Sequence, residues 1–272
     1  MASRSLPNVS TFVLLGALSL SAFGLGACSS TPDEKPYVEE PVTLLYNTAV
    51  DSLERGDFAE AAVKFDEVER QHPYSNWAVK AQVMAGYSLY MGNKYDDAVM
   101  ALDRFIQLHP SNKDAPYAYY LKGLCYYEQI SDVSRDQMMT QLALTTLKEL
   151  LTRFPDSEYA RDAQLKIELT YDHLAGKEMK IGRYYQSRQQ WLAAINRFDT
   201  VVNTYQTTTH VPEALNRLVE SYLALGLREE AKKSAAVLGH NFPSSRWYVD
   251  TYRLLGDPNF AKPEADPWYK VW

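Results

Sequence analysis

Apolar residues recur along this chain at fixed distances from five alanines. Ala61, Ala98, Ala143, Ala194 and Ala231 are followed four residues later by Phe65, Leu102, Leu147, Phe198 and Ala235, and seven later by Val68, Phe105, Leu150, Val201 and Leu238. Offsets 0, 4 and 7 fall on one face of an α-helix, so the pattern predicts five amphipathic helices. Twelve residues after each alanine stand Pro73, Pro110, Pro155, Gln206 and Pro243, preceded by His72, His109, Phe154, Tyr205 and Phe242. Proline lacks an N–H and biases its predecessor away from helix, so each helix should stop there. Ser75, Ser157 and Ser245 follow three of those prolines, and Trp77, Tyr159 and Trp247 stand two residues further on. The serines are expected to cap the next helix, with the ring anchoring its first turn. Small residues upstream, Gly86, Gly123 and Gly182, mark a partner helix that approaches closely.

Helix, turn, helix, proline, repeated five times, resembles the tetratricopeptide repeat. The resemblance implies an all-α fold: a tetratricopeptide-repeat superhelix of about five helical hairpins with a C-terminal capping helix. The alanines are 37, 45, 51 and 37 residues apart, against a usual repeat of about 34. Ser131–Gln137 is a polar loop that lengthens the third unit. The fourth is lengthened by one long helix over 157–189. A helix near Ser245–Leu255 should cap the array. The expected organisation is a signal peptide at 1–27, a linker at 28–41, repeats at 42–256 (N-terminal repeats 42–156, C-terminal repeats 157–256) and a flexible tail at 257–272.

The N-terminus reads as a targeting segment outside the fold. Arg4 opens it, and an uncharged apolar run of 16 residues, Phe12–Ala27, leads to Leu25-Gly26-Ala27-Cys28. That tetrapeptide resembles the lipobox of bacterial lipoproteins, with Cys28 as the acylated residue. A plain secretory signal and an uncleaved membrane helix are the alternatives, though the run is short for a bilayer span. Ser29, rather than Asp, follows the cysteine, which by resemblance to the sorting rule points to the outer membrane. Residues 29–41 hold three prolines with Asp33, Glu34, Glu39 and Glu40, an extended acidic linker.

Composition narrows the functional classes. With 28 Lys plus Arg against 34 Asp plus Glu, the net charge is -6, which argues against nucleic-acid binding. The two cysteines, Cys28 and Cys125, imply no disulfide framework; Cys125 should be a buried apolar residue. No HExxH, GxSxG, P-loop, CxxC or calcium loop occurs, so neither an enzyme site nor a cofactor is expected beyond lipid on Cys28. The five histidines do not pair at helical spacing, and His72 and His109 suit helix C-termini.

Binding chemistry is suggested instead by 20 tyrosines. Tyr87 and Tyr90 lie in the first helix of the second repeat; Tyr117, Tyr119, Tyr120, Tyr126 and Tyr127 crowd that of the third. In a tetratricopeptide array such helices line the inner surface. Tyr87, Tyr90, Tyr117, Tyr120 and Tyr127 are therefore candidates for a groove that holds an extended peptide, with intra-repeat packing as the alternative for some of the rings. Arg197 lies between the inward positions 194 and 198, on an exposed or partner-facing flank.

Lipobox, acidic linker and five repeats together resemble the BamD (ComL-like) family of outer-membrane lipoproteins over about Tyr46–Leu255. The more specific pieces are Leu102-Asp-Arg-Phe-Ile-Gln-Leu-His-Pro110, Lys122-Gly123 within the tyrosine-rich helix, and Tyr184-Tyr185 ahead of Trp191-Leu-Ala-Ala-Ile-Asn-Arg197. The resemblance implies a non-catalytic component of the β-barrel assembly machinery on the periplasmic face of the outer membrane. Its implied partners are the periplasmic domains of the BamA insertase, other Bam lipoproteins and unfolded outer-membrane proteins. By the same resemblance, Arg197 matches a family arginine that meets an acidic insertase residue. The loop after Gln129 is shorter than in the best-known members, and the 260–272 tail is extra. A pilotin-like lipoprotein for secretins and a peptidoglycan-associated scaffold are the other readings.

Overall fold

The structure, a computed structural model, describes residues 39–256. Chain contacts divide the protein at Glu39/Glu40, and every helix below belongs to the second unit. Cys28, most of the linker and the 257–272 tail lie outside the described residues. The helices are α1 (Val42–Glu54), α2 (Phe58–Gln71), α3 (Asn76–Met91), α4 (Tyr95–Leu108), α5 (Ala115–Tyr127), α6 (Met138–Arg153), α7 (Ala160–Ser187), α8 (Trp191–Thr204), α9 (Val211–Ala224), α10 (Arg228–Asn241) and α11 (Arg246–Leu255). Each packs on the next, α1 also touches α3, α3 touches α5, and α11 lies across both α9 and α10. This is a stack of five hairpins closed by a final helix, the tetratricopeptide arrangement.

The three periodic columns are the core. All fifteen residues at offsets 0, 4 and 7, from Ala61 to Leu238, are at most 1% exposed. Burying each larger side chain stabilises the fold by roughly 1.5–3 kcal/mol. The first helix of each hairpin answers the second by shape. A Cβ on Gly86 would stand 2.7 Å from Leu102 Cδ2, and one on Gly123 2.5 Å from Leu147 Cδ2. At Gly182 it would run into the ring of Phe198. In the fifth hairpin the sizes are exchanged: Val219 in α9 packs with Ala231 and Ala235 in α10.

The helix ends repeat as closely as the core. His72, His109, Phe154, Tyr205 and Phe242 terminate the second helices with φ between -117° and -136° and ψ between 47° and 60°. Tyr205 adopts this shape although Gln206 replaces the proline. The N–H three residues on then donates back to its carbonyl in all five, from Ser75, Asn112, Ser157, Thr208 and Ser245. Within hairpins one, two, four and five, the residue five before the anchor alanine has positive φ: Gly56 (83°), Asn93 (56°), Gln189 (59°) and Gly226 (76°). The following N–H returns to a carbonyl five residues back, as in Asp57 to Ser52 and Gln190 to Tyr185, which closes the first helix.

The serine column divides. Ser75 Oγ accepts from the Ala78 N–H at 3.1 Å, and Ser245 Oγ from the Trp247 N–H at 3.2 Å. Ser157 does not cap, contrary to the expectation. Helices α5, α7 and α9 begin six residues after the preceding helix's terminal residue rather than four. Ser157 therefore stands outside α7, whose N-terminal flank is Tyr159, and its Oγ is buried without a hydrogen-bond partner.

Helix α7, 28 residues long, extends about 42 Å and joins two cores. Its Ala163 and Ile167 belong to a cluster with α3–α6. Its Ala175 and Met179 belong to one with α8–α10. Helix α7 thus takes part in the cores of both halves. Residues 128–137 form the loop between α5 and α6. They fold back on the middle of α7, where His173 Nδ1 lies 3.0 Å from Gln137 Oε1 and Val133 Cγ1 would meet a Cβ on Gly176 at 3.5 Å.

Candidate functional site

Two surfaces of different chemistry lie along α7. The first is aromatic. Periodicity distributes the α5 tyrosines over different faces. Tyr119 is buried toward α6, its hydroxyl donating to Glu149 at 3.3 Å and its ring facing Phe154 and the Arg153 guanidinium. Tyr126 faces the α4 carboxylates Asp103 and Asp96. Tyr117 and Tyr120 point to the start of α7. Tyr120 stacks on Tyr159 with ring centroids 5.1 Å apart and planes at 22°, and Tyr117 meets the same ring at 5.3 Å. The Tyr120 hydroxyl donates to Asp162 Oδ2 at 2.5 Å. Tyr127 lies under the Lys166 ammonium, 4.9 Å from its ring centre, and Lys166 also faces Asp162 at 3.6 Å.

Tyr87 and Tyr90 of α3 complete the cluster: both contribute to the field that, after burial, raises the Tyr117 phenol well above its ordinary range. Burial and the bond to Asp162 do the same to Tyr120. Burial, then Glu158, pushes Tyr159 up to about 12. These hydroxyls are therefore protonated at any physiological pH and act as donors. All five expected groove tyrosines are half-buried. Cys125, behind them on α5, is fully buried, and burial raises its thiol to about 12. The contribution of α7 through Tyr159, Asp162 and Lys166 was missed in the sequence; their i, i+3, i+7 spacing is the signal that carries it.

The second surface is charged. The Arg197 side chain on α8 is 42% exposed, and its Nη1 donates to Glu178 Oε2 of α7 at 3.1 Å. It lines a cavity of about 420 Å³ with Lys177, Lys180, Ile181, Tyr184 and Ser134. Further along α7, Arg183 pairs with Glu213 of α9 at 2.9 Å, Arg217 with Glu220 at 2.9 Å, and Gln186 donates to Glu220 at 2.8 Å. A second cavity of about 410 Å³ opens there beside Trp191. Among the described residues, no group of three or more His, Cys, Asp or Glu could hold a metal ion. No described helix is long and apolar enough to cross a membrane.

Stacked hairpins closed by a final helix define a tetratricopeptide-repeat scaffold. Solved structures with likeness in fold include a thermophilic tetratricopeptide protein from Thermus thermophilus (TM-score 0.38, 18% identity, 79% of this chain and 97% of that one). The MamA protein is another (TM-score 0.33, 18% identity, 81% and 96%). The family model described as YfiO, outer membrane lipoprotein, matches residues 38–238. The outer membrane protein assembly factor BamD of Caulobacter vibrioides is 54% identical, covering 92% of this chain and 83% of its own. That of Rickettsia prowazekii is 48% identical, covering 89% and 96%. The chain belongs to the YfiO/BamD family, and it is a non-catalytic scaffold protein.

Proposed function

We propose that this protein is a lipid-anchored component of the machinery that assembles outer-membrane β-barrels, held at the periplasmic face of the outer membrane through Cys28. The tyrosine wall of α3, α5 and the start of α7 receives unfolded outer-membrane proteins as extended, aromatic-rich segments. Ring faces supply apolar contact, and the wall hydroxyls other than that of Tyr120, whose proton goes to Asp162, donate to the guest backbone. The Arg197 pocket docks the periplasmic domains of the BamA insertase through a charge-assisted contact, and other Bam lipoproteins share the assembly. The observation that carries this reading is the placement of two chemically distinct surfaces on the two halves of one continuous helix, in a chain whose relatives are named assembly factors.

The test is affinity purification of the lipidated chain from solubilised outer membrane. BamA should co-purify with the wild type and be depleted with Arg197→Glu. Tyr117→Ala with Tyr120→Ala should abolish photocrosslinking to a peptide ending in alternating aromatic residues and leave BamA in place. Depleting the protein should lower porin levels in the outer membrane. Recovery of a secretin or of wall-synthesis enzymes in place of BamA would overturn the reading.

A further inference from the structure

The cavity beside Arg197 holds more positive charge than one arginine. Lys177, Lys180, Ile181 and Tyr184 form a stripe along α7 at i, i+3, i+4 and i+7, and Arg197 closes the pocket from α8. The three cations have different tasks. Lys177 Nζ donates to the carbonyls of Ser134 and Arg135, each at 3.0 Å, so two of its three protons hold the rim of the cavity. Asp132 stiffens the same rim by accepting from the Ser134 N–H at 2.7 Å. Glu178 accepts one N–H of the Arg197 guanidinium, at Nη1. A guanidinium carries five N–H donors, so its other edge is open to a second carboxylate. Lys180 is exposed on the same stripe, and after the hydrogen bonds from Ser134 it adds to the field that holds the Asp132 carboxylate below its ordinary value. Three cations, Lys177, Lys180 and Arg197, against the two carboxylates Glu178 and Asp132 leave the pocket net positive.

We infer that this cavity is a two-cation acceptor for an acidic segment presenting two carboxylates, one to the open edge of Arg197 and one to Lys180. Lys177 is a positioning residue that builds the rim. The inference rests on the docking role proposed for Arg197 and names the chemistry of the surface that docks: paired acids, not a single acid or an apolar knob. Tyr184, 52% exposed on the same stripe, offers a ring against the stem of such a segment.

The experiment titrates the purified chain, residues 28–272, with two probes followed by calorimetry and amide chemical shifts. One is the soluble periplasmic region of the insertase. The other is the blocked peptide Glu-Ala-Ala-Glu, with Gln-Ala-Ala-Gln as its uncharged match. Both acidic probes should bind, and the glutamine peptide should not. Lys180→Ala should weaken both by about tenfold, and Lys180→Glu by more, with unchanged helix content. Lys177→Met should weaken both and broaden the amide signals of residues 131–136, and Lys177→Arg should restore them. Unaltered binding by both Lys180 variants, equal binding of the glutamine peptide, or no binding of either probe overturns the inference. Binding of the acidic peptide through Lys180 without binding of the insertase region would sustain the acceptor and overturn the docking role. Insertase binding that needs Arg197 but ignores Lys180 would do the reverse.

Discussion

The two ends of α7 make the same architecture carry opposite surfaces. Toward its start the wall is made of half-buried rings: Tyr117, Tyr120 and Tyr159 pack together, and Asp162 is engaged as the acceptor for Tyr120. Toward its end the wall is made of ions that bridge different helices: Arg197 to Glu178 and Arg183 to Glu213. Both halves share the same buried columns at offsets 0, 4 and 7. The repeat consumes those positions for packing and leaves the outward ones free to vary, so one scaffold can present an adaptable apolar wall and an orienting charged one.

The largest test of this division is to break one core at a time. Phe198 is fully buried against Gly182 in the second half, and Phe65 is its counterpart in the first. Phe198→Ala should cost about 3–5 kcal/mol, and Phe65→Ala a similar amount. Hydrogen exchange should show α8–α10 losing protection first in one and α1–α3 in the other. Uniform loss throughout both variants would mean that α7 fuses the halves into one cooperative unit.

Alkali should separate the halves next. Folding raises the phenols of Tyr46, Tyr90, Tyr117, Tyr119, Tyr120, Tyr126 and Tyr159 in the first half, against Tyr205 and Tyr222 in the second. A raised folded pKa means that the native state favours the protonated form. That stability is fully present below the ordinary phenol value of 10 and is lost as pH climbs through the folded values, about 12 for Tyr159. Tyrosinate absorbance and exchange should therefore report unfolding that starts among α3–α7 above pH 10. Onset in α9–α10 would contradict the aromatic packing assigned to the first half.

Salt should sort the two binding surfaces by mechanism. Raising ionic strength shortens the screening length to a few ångströms at molar salt. Insertase binding through Arg197 and Lys180 should weaken by about tenfold or more across such a series. Binding of an aromatic peptide to the tyrosine wall should hold or strengthen. Equal salt slopes at the two surfaces would remove the distinction between them.

The sequence made the buried columns legible because burial at offsets 0, 4 and 7 is a local property of one helix. The aromatic or imidazole residue before each proline was legible for the same reason, and its conformation persists where Gln206 replaces proline. Which tyrosine faces which helix was not legible: Tyr119 and Tyr120 are neighbours in sequence, yet one is buried on α6 and the other stacks on Tyr159 at the start of α7. That choice depends on how the start of the next hairpin is set against α5. The role of Ser157 failed for a related reason, since α7 starts two residues later than the pattern of α3 and α11 suggests. Lys180 was silent because a lysine on a helix stripe is ordinary until Arg197 is brought beside it from α8.

The smallest predicted effect is the most local. The turn inside four hairpins needs a residue with positive φ, and three of the four supply one suited to it: Gly56, Asn93 and Gly226. Hairpin four places Gln189 there, at φ 59°, in the turn that joins the Tyr184-bearing end of α7 to the helix of Arg197. A left-handed residue with a Cβ costs roughly 1–2 kcal/mol, which asparagine partly escapes and glutamine does not. Glycine in that place also frees the unfolded chain, which takes back part of the gain. Gln189→Gly should thus raise stability by about 0.5–1 kcal/mol, seen as a higher urea midpoint with an unchanged slope. Asn93→Gly should move the midpoint by less, because asparagine already tolerates the left-handed region. If both changes were neutral, the strain at position 189 would be relieved elsewhere in the turn. If Gln189→Gly stabilised the fold but weakened insertase binding, a rigid turn would be part of what holds Arg197 against α7.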